Sequence, residues 1–389
     1  MTRRALALAL ALFAMHASAQ DAILGAEEPD AATRNWGWFG DFWGGYDHVS
    51  GLPNHREDLS RGRARVRAGA FWNVTPAWEI AGSVRLAAGT DSNDDNRRNN
   101  DNERSNGVGL DQLFVRWRPG ENTSVNLGKT PLPLELSPMV WDQDLRPAGV
   151  ALDHSFPLSE FDRLQLVAGY FAGEHLYGDD SRIGAIELGW RWHEGAPTRA
   201  AALVSYLDFS DLGELTKQGL ARTNTIVSGK LVNDSRLLDA QLVGHAELGH
   251  WPFEARLDYV NNLGADAANE GARFSLVAGD RRQPGQWEFG FAFQRIQRDA
   301  VMAAFNSDDW WFHSAVRGSM PRVCARIHVV LQMLAPTFQS RSRSSAAAIT
   351  SRRIGPLPNS WSLAFPVFRR RCIPLRIPSA ASGGIPGWS

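Results

Sequence analysis

Apolar and polar side chains alternate with a period of two in strand-sized stretches that recur from Trp36 to Arg317, and aromatic residues mark their ends. The clearest stretch is Trp287-Glu288-Phe289-Gly290-Phe291-Ala292-Phe293-Gln294. Its odd positions form an aromatic stripe, and its even positions are small or polar. One face of such a strand suits hydrocarbon and the other tolerates water, which is what a membrane β-barrel asks of its wall.

The same rhythm sets the elements. Trp36 to Asp47 reads as a first strand with Trp38, Phe42 and Tyr46 on one face and Asp41 and Asp47 on the other. Arg61-Gly62-Arg63-Ala64-Arg65-Val66-Arg67-Ala68 is the strictest alternation in the chain. An arginine facing lipid near the midplane costs roughly 2–4 kcal/mol, so this row must face a watery interior. Asn73 to Pro76 makes a turn, after which Trp78, Ile80, Gly82, Val84 and Leu86 form the next outward face. Gly89 to Asn106 is a long polar loop, and Pro119 to Asn122 is a turn between strands. Proline has no donor for a ladder, so Pro131 to Pro147 is either an outer loop or one folded inward to narrow the lumen.

Further strands are expected at Gly149–Phe156, Arg163–Phe171, Arg182–His193, Arg199–Asp208 and Asn224–Val232. Others follow at Leu237–Leu248, Phe253–Val260, Arg273–Asp280, Gln286–Ile296 and Asp309–Arg317. Asp239, Gln241, His245 and Glu247 make one inward set, and Glu254, Arg256 and Asp258 another. Trp190, Trp192, Trp251, Trp310 and Trp311 fall near strand ends, where aromatic girdles belong. The tally is about 15, and bacterial barrels close with even numbers. The expected fold is therefore all-β: a transmembrane antiparallel up-and-down β-barrel of about 16 strands, with long outer loops and short periplasmic turns.

Composition changes this picture little. Of 389 residues, 43% are hydrophobic and 21% charged, and the formal net charge of -1 does not fit a basic nucleic-acid partner. A mean hydropathy of -0.29 is compatible with a barrel, which shows lipid only alternate residues. Residues 1–19 read as a signal peptide, with Arg3 and Arg4, an apolar core from Ala5 to Ala14, and Ala17-Ser18-Ala19 as the cleavage site. Residues 20–35 are a lead-in and 36–320 the barrel. Cys324 and Cys372 lie near the end, so no disulfide framework holds the body.

Residues 321–389 form a different kind of sequence. After Asp309 there is no Asp, Glu or Lys, while arginine continues through Arg376 beside Ser-rich and Pro-containing scraps. One reading is a soluble tail or plug. The preferred one is a reading-frame shift near Met320 to Arg322, because composition breaks in mid-pattern without turn signals.

The arginine row is the leading candidate for function. Cations around a water-filled lumen favour anionic solutes. The competing and preferred role is structural, with Asp41 and Asp47 on one side and Glu79 on the other neutralising the row. The candidate pore-lining set is Arg61, Arg63, Arg65, Arg67, Glu79, Arg85, Arg116 and Lys129.

Asp91 to Asn96 starts like a calcium loop but carries Asn96 at the glycine position and Asn102 in place of the closing Glu, so a solvated loop is preferred. His154, His193, His245, His250 and His313 share no motif with a serine, and no Gly-x-Ser-x-Gly elbow appears. No catalytic residue, cofactor or metal is expected.

On four features, the chain resembles the "Putative porin" family of Gram-negative outer membranes over roughly residues 34–320. They are the signal peptide, the aromatic opening strand, the Arg61–Arg67 row, and Leu110-Asp111-Gln112-Leu113-Phe114-Val115-Arg116-Trp117 leading to Leu127-Gly128-Lys129. Trp310-Trp311-Phe312-His313 is a weaker echo. The resemblance implies an outer-membrane channel for small solutes, without catalytic residues or an agreed substrate. Such barrels usually end on an aromatic residue, whereas this chain ends Gly387-Trp388-Ser389.

The function expected is passive diffusion of small hydrophilic solutes or ions through an outer-membrane porin, with a weak anion preference. Outer-membrane lipid, lipopolysaccharide and further copies of the chain are its expected partners. The alternatives are a plugged barrel serving as a surface-binding or adhesion scaffold, and an outer-membrane hydrolase using His245 and His313.

Overall fold

A computed structural model describes residues 35–49, 57–98, 102, 104–173, 181–249, 251–279, 286–308, 313–325 and 373–374. The proposed leader, most of the lead-in, His250, Trp310 to Phe312 and nearly all of the tail lie outside them.

The first strands are β1 (Trp36–Val49), β2 (Leu59–Thr75), β3 (Trp78–Gly89), β4 (Gly107–Gly120) and β5 (Thr123–Lys129). Next come β6 (Ala148–Pro157), β7 (Arg163–Ala172), β8 (Arg182–Trp192) and β9 (Arg199–Ser210). After a hairpin of β10 (Ile226–Val227) and β11 (Lys230–Leu231), the chain continues with β12 (Ser235–Leu248), β13 (Trp251–Asn262) and β14 (Glu270–Gly279). It then forms β15 (Trp287–Ile296), β16 (Val316–Ala325) and β17 (Ile373–Pro374).

Among the described residues, 15 of these strands make one antiparallel sheet in chain order, with β9 pairing directly to β12. No described ladder joins β1 to β16 or β17.

Three expectations change. Asn224–Val232 is not a wall strand but the detached β10–β11 hairpin, because Ser228 and Gly229, with φ of 51° and 76°, turn the chain back at once. The loop after β3 contains a short helix, α1 (Asn93–Arg98), capped by Ser92, whose Oγ accepts from Asp95 N at 3.1 Å and donates to its carboxylate at 2.7 Å. The strand placed at Asp309–Arg317 starts instead at Val316, and it stays paired with β15 as far as Ala325.

Alternation becomes two distinct faces. Trp38, Ile80, Leu113, Leu257 and Phe291 all project from the exposed apolar face, while Asp41, Arg67, Glu79, Asp239 and Glu288 point the other way and are buried. The connections are equally asymmetric. Residues 76–77 and 121–122 make tight turns at one end of the sheet, where β12 and β13 are also closely joined, whereas 90–106, 130–147, 211–234 and 297–315 are long connections at the other.

Exposed aromatics follow this polarity. Trp36, Trp38, Trp72, Trp78, Trp117, Trp190, Trp192, Trp251 and Trp287 all sit toward the short-turn end, and Tyr46, Tyr170 and Tyr259 toward the long-connection end. Trp38 to Tyr46 and Trp251 to Tyr259 span equal lengths of strand, about 27 Å at the usual rise. With a tilt of 35–45° that is about 20 Å, close to the height of a barrel's apolar band.

The other face is filled at the long-connection end. Residues 130–147 fold onto it and bury Leu132, Leu134, Leu136, Met139, Val140, Trp141 and Leu145. They pack with Ala300 to Phe305 and with Leu215, of α2 (Gly213–Lys217), against inward residues such as Val167, Ile183 and Leu207. Phe305 stacks on Trp141 at 5.7 Å and on Phe209 at 5.2 Å between ring centroids. Phe305→Ala removes a fully buried ring, and the expected loss is about 3–5 kcal/mol of stability. Denaturant unfolding in detergent would show this as a lowered midpoint, and an unchanged midpoint would mean the segment does not rest on this stack.

Candidate functional site

The candidate site is the charged part of the inward face. β1 and β2 pair with Asp41 opposite Arg67 and Asp47 opposite Arg61, so the arginine row meets carboxylates by register alone. Asp47 Oδ2 accepts from Arg61 Nε at 3.2 Å and from Arg63 Nη2 at 2.7 Å. Asp91, in the loop after β3, lies 3.6 Å from Arg61, so the acidic loop start serves an ion pair.

Arg67 reaches Asp41 at 3.8 Å and Asp111 of β4 at 3.1 Å. Asp111 also accepts from Ser83 Oγ at 3.1 Å and lies 3.4 Å from Arg146. The inward segment supplies Asp144, which lies 3.5 Å from Arg65 and 3.6 Å from Arg67. Trp43 completes this patch, with the Arg63 guanidinium 5.4 Å from its ring centroid.

The sequence placed Glu79 beside the β2 arginines, and the register moves it. Glu79 stands opposite Asn73 of β2 and Arg116 of β4, so its partners are Arg116 at 3.3 Å and Arg118 at 2.6 Å. Arg116 Nε in turn donates to Asn126 Oδ1 at 2.8 Å. Arg85 is opposite Arg67, within the main cluster. Lys129 joins it because Gly128, at φ +125°, breaks the alternation of β5. A Cβ at Gly128 would sit 2.3 Å from the Leu113 carbonyl oxygen. Lys129 consequently lies within electrostatic range of Asp111, Arg85 and Arg146.

The structure thus gathers Arg61, Arg63, Arg65, Arg67, Arg85 and Lys129 into one cluster and puts Glu79 and Arg116 in a second, nearer the short turns. Sequence reading missed Asp111, Asp144 and Arg146. One signal was available: a solvated outer loop would not carry Leu132, Leu134, Leu136, Val140 and Trp141 beside its charges.

Backbone bonds to carboxylates pin the inward segment to β8 and β12. Glu135 N donates to Glu187 Oε2 of β8 at 3.0 Å, and Ser137 N to Asp239 Oδ2 of β12 at 2.9 Å. Gln241 Nε2 donates to Glu135 O at 2.6 Å. Residues 135–144 therefore run over the charged face from β8 and β12 to the β2 arginines. A polar chain runs beneath: Gln165 links Asp153 and Arg191 at 3.0 Å each, and Arg191 meets Glu135 at 2.5 Å.

The candidate histidines are apart. His245 lies 3.7 Å from Glu254 on neighbouring strands, whereas His313 is buried between loops against Arg222 and Asn306.

Residues 45–195 match the family model described as "Putative porin". The match includes the arginine row, the β4 and β5 motif and the inward segment, and it is narrower than the resemblance read over 34–320. No curated protein matches the chain.

Among solved structures, Pseudomonas putida OprB at high pH is similar at 12% identity, covering 77% of this chain and 86% of its own, with a TM-score of 0.48. Salmonella typhi OmpF in complex with daunomycin gives 9% identity, 71% and 95% coverage and a TM-score of 0.43. An anion-selective porin from Comamonas acidovorans gives 12%, 67%, 89% and 0.37.

Asp239 is fully buried, so Asp239→Ala leaves the Ser137 amide without its acceptor, at a cost of about 1–3 kcal/mol. Limited proteolysis should then cut within residues 131–147, while Asp239→Asn, which keeps an acceptor, should stay largely resistant. Equal resistance of wild type and both variants would show that the anchor does not hold the segment.

Proposed function

We propose that this chain closes into a β-barrel in the outer membrane and acts as a porin, passing small hydrophilic solutes or ions by diffusion. The observation that carries the reading is the division of one antiparallel sheet into an apolar outward face and an inward face of charged and amide side chains. Outward Trp and Tyr bands at the two ends fit the two interfaces of a bilayer. The match of residues 45–195 to a porin family supports the same reading. Export follows from the leader at residues 1–19, and lipid, lipopolysaccharide and further copies of the chain are the partners of such a barrel.

Arg61, Arg63, Arg65, Arg67, Glu79, Arg85, Arg116 and Lys129 line the passage in this proposal. Selection is by width and charge, with no chemistry. Five of the cluster's cations, Arg61, Arg63, Arg65, Arg67 and Arg146, meet five carboxylates, Asp41, Asp47, Asp91, Asp111 and Asp144. Arg85, opposite Arg67, and Lys129 belong to the same cluster, in which most of the arginine charge is matched by carboxylates. Anion preference is accordingly weak. The apolar packing of residues 132–145 against 300–305 favours the second reading, a plugged barrel serving as a surface-binding scaffold.

Planar-bilayer conductance separates the two: a porin gives stepwise openings, and a plugged scaffold gives none. In the porin, Arg63→Ala with Arg65→Ala removes two cations and leaves Asp47 with Arg61 and Asp144 with Arg67, so the reversal potential should move toward cation selectivity. Asp144→Asn should move it the opposite way. Unchanged selectivity in both variants would remove the cluster from the conduction path.

A further inference from the structure

The outward face of β15 reads Trp287, Phe289, Phe291, Phe293 and then Arg295, all exposed. Arg317 of β16 is the Cα partner of Arg295 and is exposed on the same face. Two guanidinium groups directly opposite each other repel, and a hydrocarbon-facing wall is a poor place for either. Among the described residues neither makes an ion pair. Arg317 lies over the Phe293 ring at 5.9 Å. The outward carboxylate of this region, Glu270, accepts a hydrogen bond from Tyr259 Oη at 3.0 Å.

Beside the pair is a depression of about 520 Å³ in the outward face of β9 and β12–β15. It is shallow-floored because Ala202, Ala240 and Ala272 alternate with larger neighbours, and Tyr259, Phe274 and Phe293 wall it. The register Tyr259–Ala272–Arg295 puts an aromatic wall, a floor and a cation side by side in one row. That row is level with the tyrosine band at the long-connection end, where headgroups of a surrounding bilayer would lie.

We propose that this surface binds a phosphate-bearing lipid of the leaflet at the long-connection end. Its phosphate bridges Arg295 and Arg317, and one acyl chain lies along the Ala272 depression. An anion resolves the like-charge pair, and a guanidinium fork matches phosphate oxygens. A chain in the groove covers apolar surface that the side chains leave recessed. The proposal rests on the barrel spanning a membrane.

The test is native mass spectrometry of the full chain in detergent with added lipid A, beside the same lipid after enzymatic removal of its phosphates. Wild type should retain one lipid A and lose retention of the dephosphorylated lipid by about tenfold or more, as loss of a charge-assisted contact gives. Arg295→Gln with Arg317→Gln should show the same loss for lipid A itself, and Ala272→Trp should weaken both lipids. Both sites are at the surface, and heat-modifiable migration on gels confirms folding of each variant.

Equal retention by wild type and the Arg variant overturns the proposal. So does equal retention of the two lipids, or a second protein copy held by wild type and lost in the Arg variant. Bilayer conductance of the same preparations keeps the readings apart. Channels without arginine-dependent lipid remove this inference alone, whereas absence of channels removes the porin reading.

Discussion

A strand repeats every two residues, and this chain places exposed apolar and buried polar side chains on alternate positions of the same strands. That constraint governs the rest of the structure. In β15 the odd residues Trp287 to Phe293 are exposed and aromatic, while Glu288, Ala292 and Gln294 are buried behind them. Any one-residue slip would exchange those faces. The long ladders of β1 with β2 and of β12 with β13 resist such a slip, because Asp47 opposite Arg61 and Gln241 opposite Asp258 keep polar groups together.

Putting charge inward creates a second problem, since buried ions need partners. The chain meets it with neighbouring strands and with one long connection. Residues 130–147 carry Asp144 to Arg65 and Arg67, and receive carboxylates from Glu187 of β8 and Asp239 of β12. The same segment buries leucines against residues 300–305. The segment that packs apolar side chains on this face is therefore also the one that brings a carboxylate to two of the row's four arginines.

Much of this was legible from sequence where periodicity was strict. Strands such as β2, β7, β8 and β15 begin and end close to where alternation places them, and the faces of Asp41, Asp239 and Asp258 follow from parity. Parity fails where the backbone is irregular. Gly128 reverses the side on which Lys129 falls, and a shift in register between Ser83 and Val84 lets both Asp111 and Gln112 be buried. Pairings between distant elements, such as Asp144 with Arg65, depend on how a loop without a repeat folds back. Glu79 was given the wrong partners because its neighbours depend on the offset between β2, β3 and β4, which alternation alone does not fix.

The central claim is that the apolar face meets lipid. Among the described residues, nine exposed tryptophans lie on or beside that face and Trp141 is buried, so intrinsic fluorescence reports on it. After reconstitution into vesicles of brominated lipid, most of the tryptophan emission should be quenched relative to unbrominated vesicles of the same lipid. Emission that is unchanged by bromination would mean these residues do not face acyl chains, and the account would be wrong.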